Sequence, residues 1–132
     1  MCGILGKINF KNHMAHDRCN FGEALKLQEH RGPDDCDIVE GDNFIFGHQR
    51  LSIIDLNAHA KQPMVSNCGK YTLVFNGEIY NYKEIRKDLV KKGYQFNTES
   101  DTEVLLNSYI EYGIKCIKLF IGMFAFAIND KA

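Results

Sequence analysis

The chain has 132 residues, with 16 basic against 17 acidic side chains and a formal charge of −1, so it carries no electrostatic footprint for nucleic acid or an anionic surface. A hydrophobic content of 45% suits one modest globular domain, and the longest apolar stretches, 44–46 and 123–128, are far too short to cross a bilayer. Five cysteines without paired spacing read as reduced thiols in a cytoplasmic protein rather than a disulfide framework.

The chain opens Met1-Cys2-Gly3-Ile4-Leu5-Gly6, with no basic segment and long apolar run of the kind a secretory leader needs. Cys2 is small enough for Met1 to be removed, which puts an α-amine and a thiol on one residue. With unperturbed pKa values of ~8 and ~8.5, the amine can take the thiol's proton near neutral pH. The competing reading is a small hydrophobe at the start of a buried strand.

Residues 4–10 alternate as a strand, and 11–17 form a polar loop. Phe21, Ala24, Leu25 and Gln28 recur at helical intervals over 18–29. His13, His16 and Cys19 stand three residues apart, but no second ligand pair completes a zinc-like pattern, and they read as a polar loop entering a helix. His30-Arg31-Gly32-Pro33-Asp34 breaks the helix. Ile38-Val39 and 43–48 flank Gly41-Asp42 as a hairpin, followed by a short strand at 51–55 and a loop at 57–62.

After a turn at Asn67-Cys68-Gly69-Lys70, residues 71–75 form a strand that Asn76-Gly77 ends. Asn81 with Glu84, and Ser100 with Glu103, have capping-box spacing and open helices that Gly93 and Gly113 stop. A short strand at 94–96 lies between them, and 115–120 adds one more turn. Residues 123–128 have almost no polar relief and read as a strand covered on both faces. Such a strand needs neighbours beyond it, so the chain is expected to be a fragment of a longer protein.

Four segments carry candidate chemistry: Cys2-Gly3, Arg50 to Ile54, Asn76-Gly77-Glu78, and Ser100 to Glu103. Arg50 can hold a carboxylate through two parallel hydrogen bonds. Asn76 and Gly77 offer a side-chain amide and an unshielded main-chain N–H, two donors suited to the oxyanion of a tetrahedral intermediate. Glu78 and Asp101 can hold an ammonium. Together they fit an α-amino acid whose side-chain amide is attacked by a thiolate. Taken singly, Asn-Gly is also a turn, Asp101 a helix-dipole carboxylate and Arg50 a paired surface arginine.

The ordered set MCGILG, HRGPDD, GHQRLSIIDL, QPM, FNGEIYNYKEIRKDL, SDTEVLLNSY and GMFAFAIND resembles the glutamine-hydrolysing domain of the class II, amino-terminal-nucleophile amidotransferases. Pro33 and the run after Arg50 make it most similar to the glutamine-dependent asparagine synthetases. The resemblance implies an α+β fold, a four-layer αββα sandwich of two antiparallel sheets, with residues 1–132 a glutaminase domain incomplete at its carboxy-terminal end. It implies that Cys2 is nucleophile and, through its α-amine, base, that Asn76 and Gly77 form the oxyanion hole, and that glutamine is held by Arg50, Leu51, Ser52, Ile53, Ile54, Asn76, Gly77, Glu78 and Asp101. His30 to Asp34 would be a flexible loop closing near the site. No cofactor or metal is implied for glutamine hydrolysis. Ammonia would pass to a carboxy-terminal synthetase domain using ATP and magnesium to amidate aspartate, and a homodimer is expected. Two rivals stand beside this reading: an asparagine synthetase-like enzyme amidating another acceptor, such as a sugar carboxylate, and a non-catalytic glutamine-binding domain if Met1 is kept.

Overall fold

The structure, a computed structural model, describes residues 2–10, 18–51 and 61–131. The loop histidines His13 and His16, the greater part of the expected strand at 51–55, and the pocket candidates Ser52, Ile53 and Ile54 lie outside them.

The first sheet contains β1 (Gly3–Ile8), β2 (Asp35–Glu40) and β3 (Phe44–Arg50), in the order β1-β3-β2 and antiparallel throughout. Period-two alternation divides the faces of β3. Phe44 and Phe46 point inward and pack with Val74 of the second sheet. Gly47 points outward against helix α1 (Arg18–Lys26), where a Cβ would come within 2.7 Å of Leu25 and 2.9 Å of Phe21. Gln49, on the same outer face, donates to the Leu25 carbonyl at 3.2 Å. The hairpin expected from Gly41-Asp42 is present, with longer arms.

The second sheet contains β4 (Met64–Val65), β5 (Tyr71–Ile79) and β6 (Gly122–Asp130), in the order β4-β5-β6. Leu73, Phe75 and Ile79 of β5 pack with Ile85 and Leu89 of helix α2 (Tyr82–Lys91) and with Val104 and Leu105 of helix α3 (Asp101–Tyr112). Burying each such side chain contributes about 1.5–3 kcal/mol. Val74 on the opposite face meets Phe44 and Phe46. The order of layers is therefore α1, sheet, sheet, α2/α3: the four-layer αββα sandwich that the resemblance implies.

Four local expectations are corrected. First, β5 does not stop at Asn76-Gly77 but runs on to Ile79, paired with β6 throughout. Gly77 has φ +152°, and a Cβ there would stand 2.3 Å from the Met123 carbonyl, so glycine here permits close strand approach instead of a turn. Second, Asn81 makes no side-chain cap. Its amide donates to the Leu119 carbonyl and accepts from the Ile121 N–H, both at 2.9 Å, stitching the start of α2 to the segment before β6. Third, residues 94–96 form no strand. The Tyr94 N–H closes the end of α2 on the Leu89 carbonyl at 3.1 Å, and the Phe96 ring lies 4.5 Å from the Arg86 guanidinium. Fourth, β6 is covered along one face and only in part on the other. Phe124, Phe126 and Ile128 pack toward the helices; on the opposite face Ala127 packs against the inter-sheet cluster while Met123 and Ala125 are exposed.

Candidate active site

Alternation carries the candidate side chains to a common place. Ile4 joins the inter-sheet cluster, and Cys2, two residues earlier, lies on the same side of its strand. The β1–β3 register pairs Gly3 with Gln49, and its extension sets Cys2 opposite Arg50. Arg50, in phase with Phe44 and Phe46, faces the second sheet and is 8% exposed. Asn76 and Glu78, in phase with Val74, face the first sheet from the end of β5. The inter-sheet space at this end is thus bordered by Cys2, Arg50, Asn76 and Glu78.

Cys2 is held by three contacts. The Leu51 N–H donates to its Sγ at 3.4 Å, and the Sγ lies 3.7 Å from the Leu51 carbonyl. The Arg31 Nε donates to the Cys2 carbonyl at 3.2 Å. Gly3 lets the strand lie close against Gln28, whose Oε1 is 2.6 Å from where a Cβ would be. The segment expected to be a closing loop is fixed against the end of β3. A Cβ on Gly32 would stand 2.3 Å from the Gln49 carbonyl, and the Asp34 N–H donates to the Arg50 carbonyl at 3.0 Å.

The donors at Asn76-Gly77 follow from the phase of β5. Tyr80 directs its N–H to the β6 side, bonding the Ile121 carbonyl just before that strand at 2.7 Å. The odd-numbered residues point the other way: the Phe75 N–H donates to Gln62 Oε1 at 2.6 Å, and the Ile79 N–H to Asp101 Oδ2 at 3.1 Å. Gly77 stands between these two in the same phase, with its N–H directed away from β6. The Asn76 Oδ1 is buried and has no hydrogen-bond partner among the described residues.

Asp101 is set by the cap of its helix. Ser100 is the N-cap, its Oγ accepting from the Glu103 N–H at 3.3 Å. Glu103 does not return to Ser100, as a full capping box would. It accepts instead from the Asn97 and Thr98 N–H groups and from Thr98 Oγ1, at 2.9, 2.7 and 2.7 Å. This wraps residues 97–100 onto the first turn and leaves Asp101, 4% exposed, aimed at Ile79. Burial pushes the Asp101 carboxyl above its ordinary value; the Ile79 and Thr102 N–H groups pull it down, and the Glu78 charge raises it.

The structure groups Cys2, Arg50 and Leu51 where β1 meets the end of β3, and Asn76, Gly77, Glu78 and Asp101 at the end of β5, with the His48–Phe75 contact linking the two strands. Among the described residues, no three His, Cys, Asp or Glu side chains are grouped to hold a metal ion, and no helix is long and apolar enough to cross a membrane. A separate cavity of about 700 Å³ between β4, residues 93–98 and α3 is lined, of the candidate segments, by Glu103 alone, and not by Cys2, Arg50, Asn76, Gly77, Glu78 or Asp101. Sequence reasoning assigned nothing to Gln62 and His48, whose contacts hold Phe75, the residue before Asn76.

With this geometry in place, the whole chain, residues 1–132, matches the family model of the glutamine amidotransferase domain, and the protein belongs to that family. Its relatives include asparagine synthetase [glutamine-hydrolyzing] 3 of Bacillus subtilis, 39% identical over 99% of this chain and 22% of the relative. Asparagine synthetase B [glutamine-hydrolyzing] of Escherichia coli is 42% identical over 98% of the chain and 23% of its own length. The chain therefore spans under a quarter of these relatives' length. Among solved structures, glutamine phosphoribosylpyrophosphate amidotransferase from B. subtilis superposes with a TM-score of 0.58 at 26% identity, over 70% of this chain and 22% of that one.

Proposed function

We propose that this domain hydrolyses glutamine to supply ammonia for the synthesis of asparagine. With Met1 removed, the Cys2 α-amine takes the thiol proton and the thiolate adds to the side-chain amide carbon of glutamine. Asn76 Nδ2 and the Gly77 N–H receive the oxyanion. The amine returns the proton to the departing nitrogen, ammonia leaves, and a thioester remains. Water then adds to the thioester and releases glutamate and the thiol. Arg50 pairs with the α-carboxylate of glutamine, Leu51 to Ile54 line the pocket, and Glu78 and Asp101 hold the ammonium.

The observation that carries this reading is the Leu51 N–H donating to Cys2 Sγ at 3.4 Å, at the same inter-sheet end as Arg50 and Asn76-Gly77. The names of the relatives, glutamine-hydrolysing asparagine synthetases, support asparagine as the destination of the ammonia. Our reading adds a carboxy-terminal synthetase domain that uses ATP and magnesium to amidate aspartate, in a cytoplasmic homodimer. The test uses the full-length protein. Mass analysis of its amino terminus should begin at Cys2, and glutamate release from glutamine should vanish in Cys2→Ala while synthesis from free ammonia persists. Retention of Met1, or glutamine hydrolysis by Cys2→Ala, defeats the proposal.

A further inference from the structure

His48 lies on β3 between Phe46 and Arg50, on the face turned to the second sheet, and is 1% exposed. Its Nε2 is 3.2 Å from the Phe75 carbonyl oxygen. A carbonyl only accepts, so Nε2 carries the proton and Nδ1 holds a lone pair. Nδ1 is buried without a partner among the described residues. The ring is therefore held neutral: burial lowers its pKa to about 4, against the smaller upward effect of the Phe75 hydrogen bond.

The need for this contact lies in the shortness of β4. Its register pairs Met64 with Leu73, and extension would set residue 62 opposite Phe75. The strand has ended there, leaving both main-chain groups of Phe75 without a ladder partner on that side. Side chains take both. Gln62 Oε1 receives the N–H at 2.6 Å, and His48 gives its proton to the carbonyl at 3.2 Å. The Gln62 Nε2 is itself tied to Thr102 Oγ1 at 3.3 Å. The Phe75–Asn76 peptide is thus fixed to β3 by a side chain two residues from Arg50.

We propose that His48 is a positioning residue for glutamine hydrolysis, setting the separation between the strand that carries Arg50 and the strand that carries Asn76 and Gly77. The inference rests on the reading of Asn76 and Gly77 as the oxyanion hole. Loss of the tether lets the two donors drift from the oxygen of the tetrahedral intermediate while the substrate carboxylate is still gripped. The cost falls on the transition state more than on glutamine binding.

The experiment compares His48→Gln, which keeps an N–H near the Nε2 position, with His48→Asn, too short to reach Phe75, and His48→Leu, which has no donor. All are measured in the full-length protein as kcat and KM for glutamate release. A second readout is inhibition by glutamate γ-semialdehyde, whose adduct with the thiol places an oxygen where the intermediate has one. His48→Asn and His48→Leu should lower kcat roughly tenfold to a hundredfold, weaken the aldehyde by a similar factor and move KM by less than about threefold, with His48→Gln recovering most of the loss. If His48→Leu does not fold, His48→Asn decides. Wild-type kcat in folded His48→Asn or His48→Leu, or equal damage in His48→Gln and His48→Asn, overturns the positioning role while leaving the glutaminase reading intact. No glutamate release by the wild-type protein overturns both.

Discussion

The Ile79 N–H donates to Asp101 Oδ2 at 3.1 Å, so the strand bearing Asn76 and Gly77 and the helix opening with Asp101 share one fixed point. The carboxylate thus has a structural partner already, beside Glu78 at the end of β5, in addition to the ammonium-holding role proposed for it.

These two duties separate by substitution. Asp101→Asn keeps an acceptor for Ile79 and removes the charge. Stability should change by less than about 1 kcal/mol while the glutamine KM rises about tenfold or more with a smaller change in kcat. Asp101→Ala should lose in addition about 1–3 kcal/mol of stability, because the buried Ile79 N–H is left unsatisfied. Urea unfolding and steady-state kinetics on both variants check the split.

Gly77→Ala should be severely destabilising. The new Cβ would meet the Met123 carbonyl at 2.3 Å and the Phe124 Cα at 2.5 Å, at a φ of +152°. Strain and strand displacement together should cost about 2–4 kcal/mol, read as a lowered unfolding midpoint. An unchanged midpoint would mean that β5 and β6 are not packed as described.

Arg31→Lys should slow glutamine hydrolysis even though the charge is kept. The contact is a directed Nε hydrogen bond to the Cys2 carbonyl at 3.2 Å, which a flexible ammonium does not reproduce. We expect about a tenfold loss in the rate at which a thiol-directed glutamine analogue labels Cys2, with no change in the fold by circular dichroism. Wild-type labelling would remove Arg31 from the site.

The pH dependence of stability carries the signature of His48. Its pKa is lowered from 6.5 to about 4 on folding, so the unfolded chain takes up the proton first as pH falls. The contribution is intact above about pH 6.5 and is lost between there and pH 4, amounting to about 3 kcal/mol. Asp101 acts in the opposite sense, since its raised pKa lets the folded state bind the proton first, but it is common to both proteins compared and cancels in their difference. The stability of wild type relative to His48→Gln should therefore be flat above pH 7 and fall toward pH 4. A flat difference throughout would show that the ring is not buried neutral.

Much of the site was legible because its residues sit at the ends of alternating strands. The hydrophobic phase of Phe44 and Phe46 fixes the side on which Arg50 emerges, and that of Val74 does so for Asn76. Other features were not legible because they depend on partners distant in sequence. Asn81 looks like a helix cap until the Ile121 N–H, 40 residues on, takes its oxygen. Asn76-Gly77 looks like a turn because a turn and a tight strand crossing both require a residue without a Cβ, and only the neighbouring β6 distinguishes them. The 94–96 segment has strand-forming residues, but the closing bond from Tyr94 to Leu89 uses its backbone for the helix end.

The side chains that occupy both polar groups of Phe75 have a consequence for solubility. A sheet margin with free N–H and C=O groups is a template for a foreign strand. Where β4 runs out, Gln62 and His48 have already filled that template, so the middle of β5 offers no foothold for self-association. Substituting both with apolar residues would leave that edge unfilled and should make the folded domain prone to β-aggregation.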